Sequence, residues 1–352
     1  MDKRNISVKV TDPIVLALDA EGGDNAPGEI IAGALLAASP GLRILLVGRP
    51  KVIESHLRGA DTSNVEIVPS ASVVSSYQEP ASAVRNMQDS SIVVGARTVA
   101  EGRSQGFVSA GSTGAMLAAS VLIMKRVDGI RRPAILTAIP ALNGPLVFLD
   151  AGANADCRPE HILEFGVLGA AYSRAVLGCV EPRIGLLNIG EEEGKGNELA
   201  LATYRQLKES GLNFIGNVEG RDLLTDKADV VVTDGFTGNV ALKVLEGCAA
   251  SIFSRLKEAA GSGAMARTGG VFMRTALRSM RNDLDPEAYG GAYLLGVRGL
   301  AVICHGNSSR LAISNALKLG ADALAKGVLQ AVDREVATII GNPNVPVPLD
   351  PD

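Results

Sequence analysis

The feature that most constrains this chain is a repeated unit: a short continuous apolar run, a polar loop rich in glycine, then a helix-like stretch. Ile14 to Leu18 is the first such run, Asp19-Ala-Glu-Gly-Gly-Asp24 follows it, and Pro27 opens a helical stretch to about Ala38. Uninterrupted apolar residues predict a strand buried on both faces. Proline suits a first helical turn, where its missing N–H is not needed. Arg43 to Val47, Val65 to Val68, Gly106 to Val108, Ala134 to Ile139, Leu146 to Leu149, Ile184 to Leu187, Phe214 to Ile215, Val230 to Val232 and Ala301 to Ile303 read as further strands. Helical patterns fall between them at Val52 to Leu57, Ala81 to Glu101 with a break near Met87, 113 to 125, Pro159 to Leu177 and 198 to 209, with a last long one to about Ile340. Such alternation predicts an α/β fold, a largely parallel sheet flanked by helices on both faces. We read residues 12–341 as one catalytic domain and 342–352, rich in Pro and Asp, as a loose tail.

Composition narrows the class. Forty glycines, 47% hydrophobic residues and no tryptophan fit a glycine-rich α/β enzyme, and a net charge of -4 argues against a general nucleic-acid binder. Cys157, Cys179, Cys248 and Cys304 form no CxxC pair, so reduced thiols are expected rather than zinc or disulfides. Met1 to Thr11 lacks the apolar core of a secretory signal, and the longest apolar run, Ala115 to Met124, is too short to span a bilayer. A soluble protein is expected.

In open α/β sheets, ligands bind outside the carboxyl ends of the strands. Six polar loops sit at such ends, starting at Asp19, Ser109, Asp150, Asn188, Thr233 and Cys304, and the pattern predicts that they converge on a pocket for a small anion. Asp19, Gly22, Gly23, Asp24, Asp150, Asn154 and Asn188 are its expected walls. In Ser109-Ala-Gly-Ser-Thr-Gly-Ala115, Gly111 and Gly114 allow a tight turn. Ser109, Ser112 and Thr113 offer hydroxyls beside free amides at a helix start, which suits phosphate. Taken singly, each loop reads as a turn with a helix cap; the six together favour the pocket.

Lys195, between Gly194 and Gly196, is either a ligand cation or a solvated partner for Glu191 to Glu193; its surroundings do not match a nucleotide-binding P-loop. Asp234 and Asn239 bracket Gly-Phe-Thr-Gly. They can orient a nucleophile and stabilise an oxyanion, or serve as turn former and N-cap. His305 is an anion contact or a packing histidine. It makes no dyad with Cys304, because neighbours on a strand point to opposite faces.

Residues Ile252 to Asn282 carry Arg255, Lys257, Arg267, Arg274, Arg278 and Arg281 against Glu258. Met273, Leu277 and Met280 follow helical spacing with Arg274, Arg278 and Arg281 one step round, so this part of residues 250–293 reads as a basic amphipathic helix, the stretch onto which the projecting region implied by the resemblance below maps. It suits anionic lipid, an acidic partner, or a twin of itself.

Together these stretches resemble the bacterial phosphate acyltransferases. The likeness runs from Leu18-Asp-Ala-Glu-Gly-Gly-Asp24 through Pro80-Ala-Ser-Ala-Val-Arg85, Ser109 to Ala115, Asp150-Ala-Gly-Ala-Asn154, Asn188-Ile-Gly-Glu-Glu and Gly194-Lys-Gly-Asn-Glu198 to Thr233-Asp-Gly-Phe-Thr-Gly-Asn-Val240, Tyr289-Gly-Gly-Ala292 and His305-Gly. Two positions depart from the family's pattern: Glu21 stands where Met is usual and Ser112 where Asn is usual. The resemblance implies transfer of a fatty acyl chain from acyl carrier protein to inorganic phosphate for phospholipid synthesis, in a fold similar to isopropylmalate dehydrogenases and phosphotransacetylases. It also implies a homodimer, no metal or cofactor, a cytoplasmic location and peripheral contact with the inner face of the membrane. In that picture Lys195 and the Ser109 to Gly114 loop hold phosphate, Asp234 positions or deprotonates it, Asn239 or amides stabilise the oxyanion, and His305 touches the anion. Arg274, Leu277, Arg278 and Arg281 would lie on the membrane or partner helix. A phosphotransacetylase-like enzyme using acetyl-CoA, a nucleotide-dependent dehydrogenase and a non-catalytic carrier-binding scaffold are the rival readings.

Overall fold

The computed structural model describes residues 13–75, 77–263, 265, 268, 269, 272, 273 and 291–341. The proposed membrane positions Arg274, Leu277, Arg278 and Arg281, and the tail 342–352, lie outside the described residues. In chain order the strands are β1 Ile14–Asp19, β2 Leu42–Gly48, β3 Val65–Pro69, β4 Gly106–Ser109, β5 Ala134–Ala141, β6 Gly144–Leu149, β7 Ile184–Leu187, β8 Phe214–Val218, β9 Val230–Val232, β10 Ala292–Leu295 and β11 Leu300–Ile303. The helices are α1 Gly28–Ala37, α2 Pro50–Leu57, α3 Pro80–Asn86, α4 Ser91–Ala100, α5 Thr113–Ala119, α6 Pro159–Leu177, α7 Glu198–Glu209, α8 Gly235–Gly261, α9 Arg310–Ala325 and α10 Val328–Ile339.

All the strands join one 11-stranded sheet in the order β3-β2-β1-β4-β11-β10-β5-β6-β9-β7-β8. The first five of that order run parallel to one another. The last four also run parallel to one another. Between them β10 is antiparallel to both β11 and β5, and β5 is antiparallel to β6. Three reversals leave the second block running opposite to the first. The cause at β5 and β6 is the connection: only Leu142 and Asn143 separate Ala141 from its partner Gly144, which permits a hairpin and no crossover.

Apolar residues alternate between the faces of the sheet. Leu16, Leu18, Ile44, Leu46 and Val108 belong to one buried cluster. Ala17, Leu45, Val47 and Phe107 belong to the other. Both faces are covered, as the continuous runs predict, and each such large side chain taken from water contributes roughly 1.5–3 kcal/mol. The expected break near Met87 separates α3 from α4. The long last helix is two, divided at Lys326 and at Gly327, which is left-handed with φ 76°. Strand β10 and a 3-10 turn at Gly220–Leu224 have no counterpart in the sequence reading.

Candidate active site

The six polar loops do not form one ring. Those after β1, β4 and β11 lie at one edge of the sheet, and those after β6, β9 and β7 lie at the carboxyl ends of the oppositely directed block. The expectation of one convergence took all six strands to point the same way; the central antiparallel strands divide the loops into two groups of three.

The first group is built on Asp19, which is fully buried. Its Oδ2 accepts the Ser109 hydroxyl at 2.8 Å and its Oδ1 accepts the Glu21 amide at 3.1 Å. Burial pushes the Asp19 carboxyl above its ordinary range, against the pull of its hydrogen bonds. The Gly111 amide donates to Ser109 Oγ at 3.0 Å. Ser109 and Gly111, both expected phosphate contacts, are thus engaged in holding the loop shut. Gly22 is required by this closure: a Cβ there would stand 2.5 Å from Asp19 Oδ2 and 2.8 Å from the Gly111 nitrogen. What the loop leaves for an anion is the opening of α5, at Ser112, Thr113 and Gly114. There Ser112 is the N-cap, its Oγ accepting the Ala115 amide at 3.4 Å. The Gly23 and Asp24 loop is clasped to the His305 loop: the Asp24 amide donates to the Gly306 carbonyl, and Asn25 Nδ2 to the Asn307 carbonyl at 3.0 Å. His305 is exposed, while Cys304 is buried and its thiol is pushed by burial up to about 12.

The second group is built on Asp150, also fully buried and also raised by burial. Asp150 Oδ1 accepts the amides of Ile135, Gly152 and Ala153, and Oδ2 accepts the Asn154 amide and its Nδ2. Asn154 Nδ2 also reaches the Pro133 carbonyl at 2.8 Å, and the Asn154 carbonyl receives the Gly235 amide at 2.7 Å. The start of α8 is pressed onto this frame so closely that a Cβ at Gly238 would lie 1.9 Å from the Asp150 carbonyl oxygen. Asp234, not Asn239, is the N-cap of α8, its Oδ1 accepting the Thr237 amide at 2.9 Å. Its Oδ2 meets only the Thr233 hydroxyl, at 3.5 Å. Asn239 is exposed one turn in and faces Gly152. Cys157 lies beside this frame, its Sγ donating to the Asn154 carbonyl at 3.5 Å, and burial pushes its thiol up to about 12.

Beyond β7, Asn188 closes the loop that carries Lys195, Nδ2 donating to the Lys195 carbonyl at 3.0 Å. The glutamates beside Lys195 have other partners: Glu191 pairs with Lys227 at 2.8 Å and Glu193 with Lys208 at 3.0 Å. Lys195 is exposed and, among the described residues, enters no ion pair or side-chain hydrogen bond. It does not serve as a counter-ion to its own loop. Among the described residues no group of three or more His, Cys, Asp or Glu could hold a metal ion.

A family model described as "Fatty acid synthesis protein" matches residues 14–331. The chain is 48% identical over 325 residues to a phosphate acyltransferase from Heliobacterium modesticaldum, covering 91% of this chain and 97% of that protein. It is 45% identical over 319 residues to a phosphate acyltransferase from Moorella thermoacetica, covering 90% and 94%. The chain belongs to the phosphate acyltransferase family. Its fold is similar to that of a phosphotransacetylase from Streptococcus pyogenes, with TM-score 0.63 at 15% identity over 89% of this chain and 94% of that one. A branched-chain phosphotransacylase from Enterococcus faecalis V583 follows with TM-score 0.53 at 12% identity, over 88% and 99%.

As a phosphate acyltransferase, the chain explains one of its own departures from the family pattern. Glu21 is buried, and Arg49 answers it with Nε on Oε1 at 2.5 Å and its amide on Oε2 at 3.1 Å, so the substitution brings a counter-ion. Sequence reasoning missed Glu164, which is fully buried on α6 and accepts the amides of Arg131 and Arg132. A charged residue inside the apolar pattern of α6 was the available signal, since an ionised side chain is buried only when paired.

Proposed function

We propose that this chain moves a fatty acyl group from acyl carrier protein to inorganic phosphate. Phosphate oxygen attacks the thioester carbonyl, the C–O bond forms, the C–S bond breaks, and the proton lost by phosphate leaves with the carrier thiol. The observation that carries this reading is that Asp234 follows β9 while Lys195, in the loop after the neighbouring parallel strand β7, enters no ion pair among the described residues. Lys195 holds the phosphate. Asp234, through the oxygen not engaged by Thr237, positions it or takes its proton, and Asn239 or nearby amides stabilise the tetrahedral oxyanion. The amides and hydroxyls of Ser112 to Gly114, with His305 at the same edge, form a second anion contact. The reaction draws on no metal or cofactor, because phosphate is itself the nucleophile.

A homodimer is part of the proposal. On α8, Phe236, Val240, Val244, Ile252 and Leu256 are exposed, Phe236 by 67% and Ile252 by 55%, and the exposed Cys248 lies on the same i, i+4 line. Such a ridge suits a second copy of itself. No described helix is long and apolar enough to cross a membrane. Peripheral attachment at the inner face of the cell membrane is proposed for the basic stretch within 250–293. Hand-over of the reactive acyl phosphate to a glycerol-3-phosphate acyltransferase would follow there.

The test is discharge of long-chain acyl carrier protein by the purified chain, with and without phosphate. Release of holo carrier and acyl phosphate only with phosphate is expected. Turnover of acetyl-CoA or a nicotinamide cofactor in its place, or carrier binding without turnover, would overturn the reading.

A further inference from the structure

Arg132 belongs to none of the six loops, yet its backbone is fixed from both sides. Its amide donates to the buried Glu164 carboxylate at 3.3 Å, and the next residue is Pro133, which restricts Arg132 to extended conformations. The Pro133 carbonyl is in turn gripped by Asn154. The guanidinium is treated differently. It is exposed and, among the described residues, no hydrogen bond or ion pair engages it.

Three carboxylates of this frame have partners of their own. Asp150 accepts backbone and side-chain N–H groups, Glu164 serves Arg131 and two amides, and Asp234 caps α8. Asn154 joins the residues that follow Arg132 and Asp234: its Nδ2 donates to the Pro133 carbonyl at 2.8 Å and its carbonyl accepts the Gly235 amide at 2.7 Å. The charges of Arg132, Asp150 and Asp234 all act on the Cys157 thiol. Arg132 also acts on the His161 ring, whose own pKa is lowered first by burial. Sheet order supplies the other side. Arg132 enters at the start of β5, Lys195 follows the end of β7, and β6 and β9 lie between, with Asp234 at the end of β9. The antiparallel pairing of β5 with β6 puts the start of β5 at the same sheet edge as the ends of β6, β9 and β7, so Arg132 and the loop of Lys195 leave the sheet on the side from which Asp234 emerges.

We propose that Arg132 is a phosphate-binding residue that, opposite Lys195, holds the attacking phosphate in front of Asp234. An anion beside the Asp234 carboxylate is repelled unless cations flank it, and a guanidinium fork fixes which phosphate oxygen faces the thioester. The proposal rests on the phosphate acyltransferase reading above.

The experiment compares wild type, Arg132→Ala and Arg132→Lys in the carrier-discharge assay, varying phosphate and acyl carrier separately, alongside thermal melts with and without inorganic phosphate. Arg132→Ala should raise the KM for phosphate about 10- to 100-fold with the carrier KM nearly unchanged. It should melt like wild type without phosphate and lose the protection that phosphate gives wild type. Arg132→Lys should fall between, and millimolar guanidinium should lower the phosphate KM of Arg132→Ala alone. An unchanged phosphate KM, an effect confined to the carrier KM, or a lower melting temperature with normal phosphate KM each overturns the proposal. If wild type itself neither discharges carrier with phosphate nor is protected by it, the functional reading fails, whatever the variants do.

Discussion

Asp19 and Asp150 occupy equivalent places, each fully buried at the end of a strand, but they organise their surroundings differently. Asp19 holds its loop through the Ser109 hydroxyl and the Glu21 amide, and in doing so engages Ser109 and Gly111, two groups suited by type to be ligands. Asp150 holds its loop through four amides and one side-chain amide, and the groups proposed for chemistry at this end are less engaged: among the described residues the Lys195 ammonium and the Arg132 guanidinium have no partner, and Asp234 Oδ2 meets the Thr233 hydroxyl at 3.5 Å. The lesson is that the buried aspartates are frames, and the proposal gives the chemistry to the exposed groups that a frame leaves without partners.

The largest expected effect tests the frames against each other. Asp150→Ala strands four amides, two of them, Ile135 and Asn154, in buried bonds, and at about 1–3 kcal/mol for each buried unsatisfied group the loss should be roughly 2–6 kcal/mol, enough to prevent folding in a marginal domain. Asp19→Ala should cost about half as much. Urea midpoints of the two variants are the measurement. Equal losses would break the distinction between the two ends.

Next in size are effects on turnover with the fold intact. Asp234→Asn keeps an N-cap, since Asn caps as well as Asp, so its melting temperature should match wild type. Its rate should fall at least about 100-fold, the scale of one lost transition-state contact. Lys195→Ala should behave alike, because no described ion pair is lost. Ser109→Ala should do the reverse, lowering stability by freeing Gly111 and Asp19 while altering turnover less. Near-normal rates for Asp234→Asn would remove the second group from the chemistry.

Much of the fold is legible in the chain itself. Continuous runs such as Ile14 to Leu18 and Leu146 to Leu149 mark strands because burial on both faces leaves no room for polar alternation. The loops after them are legible because glycine and aspartate are needed wherever chain and ligand come close. Strand direction is harder to read, although Asn143-Gly144 is a hairpin signal that foretells the reversal at β5 and β6. Which hydroxyl serves a frame and which serves a ligand is not written locally: Ser109 and Ser112 look alike in sequence, and only Asp19, 90 positions away, decides that Ser109 is engaged.

A smaller effect sharpens the first end. Ser112→Ala should cost about 1 kcal/mol as a lost N-cap, and Ser112→Asn, the usual family residue, should restore it. If the opening of α5 binds its anion through amides, carrier and phosphate KM values should stay near wild type in both variants. A large KM change in Ser112→Ala alone would make the hydroxyl itself the ligand.

The smallest effect is the most dependent on pH. Arg310 opens α9, the helix that follows the His305 loop, and forks onto Glu29 in the first turn of α1, which follows the Asp19 loop; its amide also donates to Glu29 Oε2 at 2.8 Å. Those hydrogen bonds lower the Glu29 carboxyl from 4.5 to about 2. A folded-state pKa below the unfolded one means that the stabilisation is present in full above 4.5 and is lost as pH falls from 4.5 towards 2. The pair is exposed to solvent, so the effect should be modest and should shrink with added salt. Glu29→Gln should therefore unfold at slightly lower urea than wild type at neutral pH, and the difference should close as pH falls through that window. Asp150 shifts the other way: burial raises its pKa, so protonation favours the folded state and its charge weighs on stability as pH rises. A Glu29→Gln difference that instead grew in acid would show that the clasp does not depend on the carboxylate.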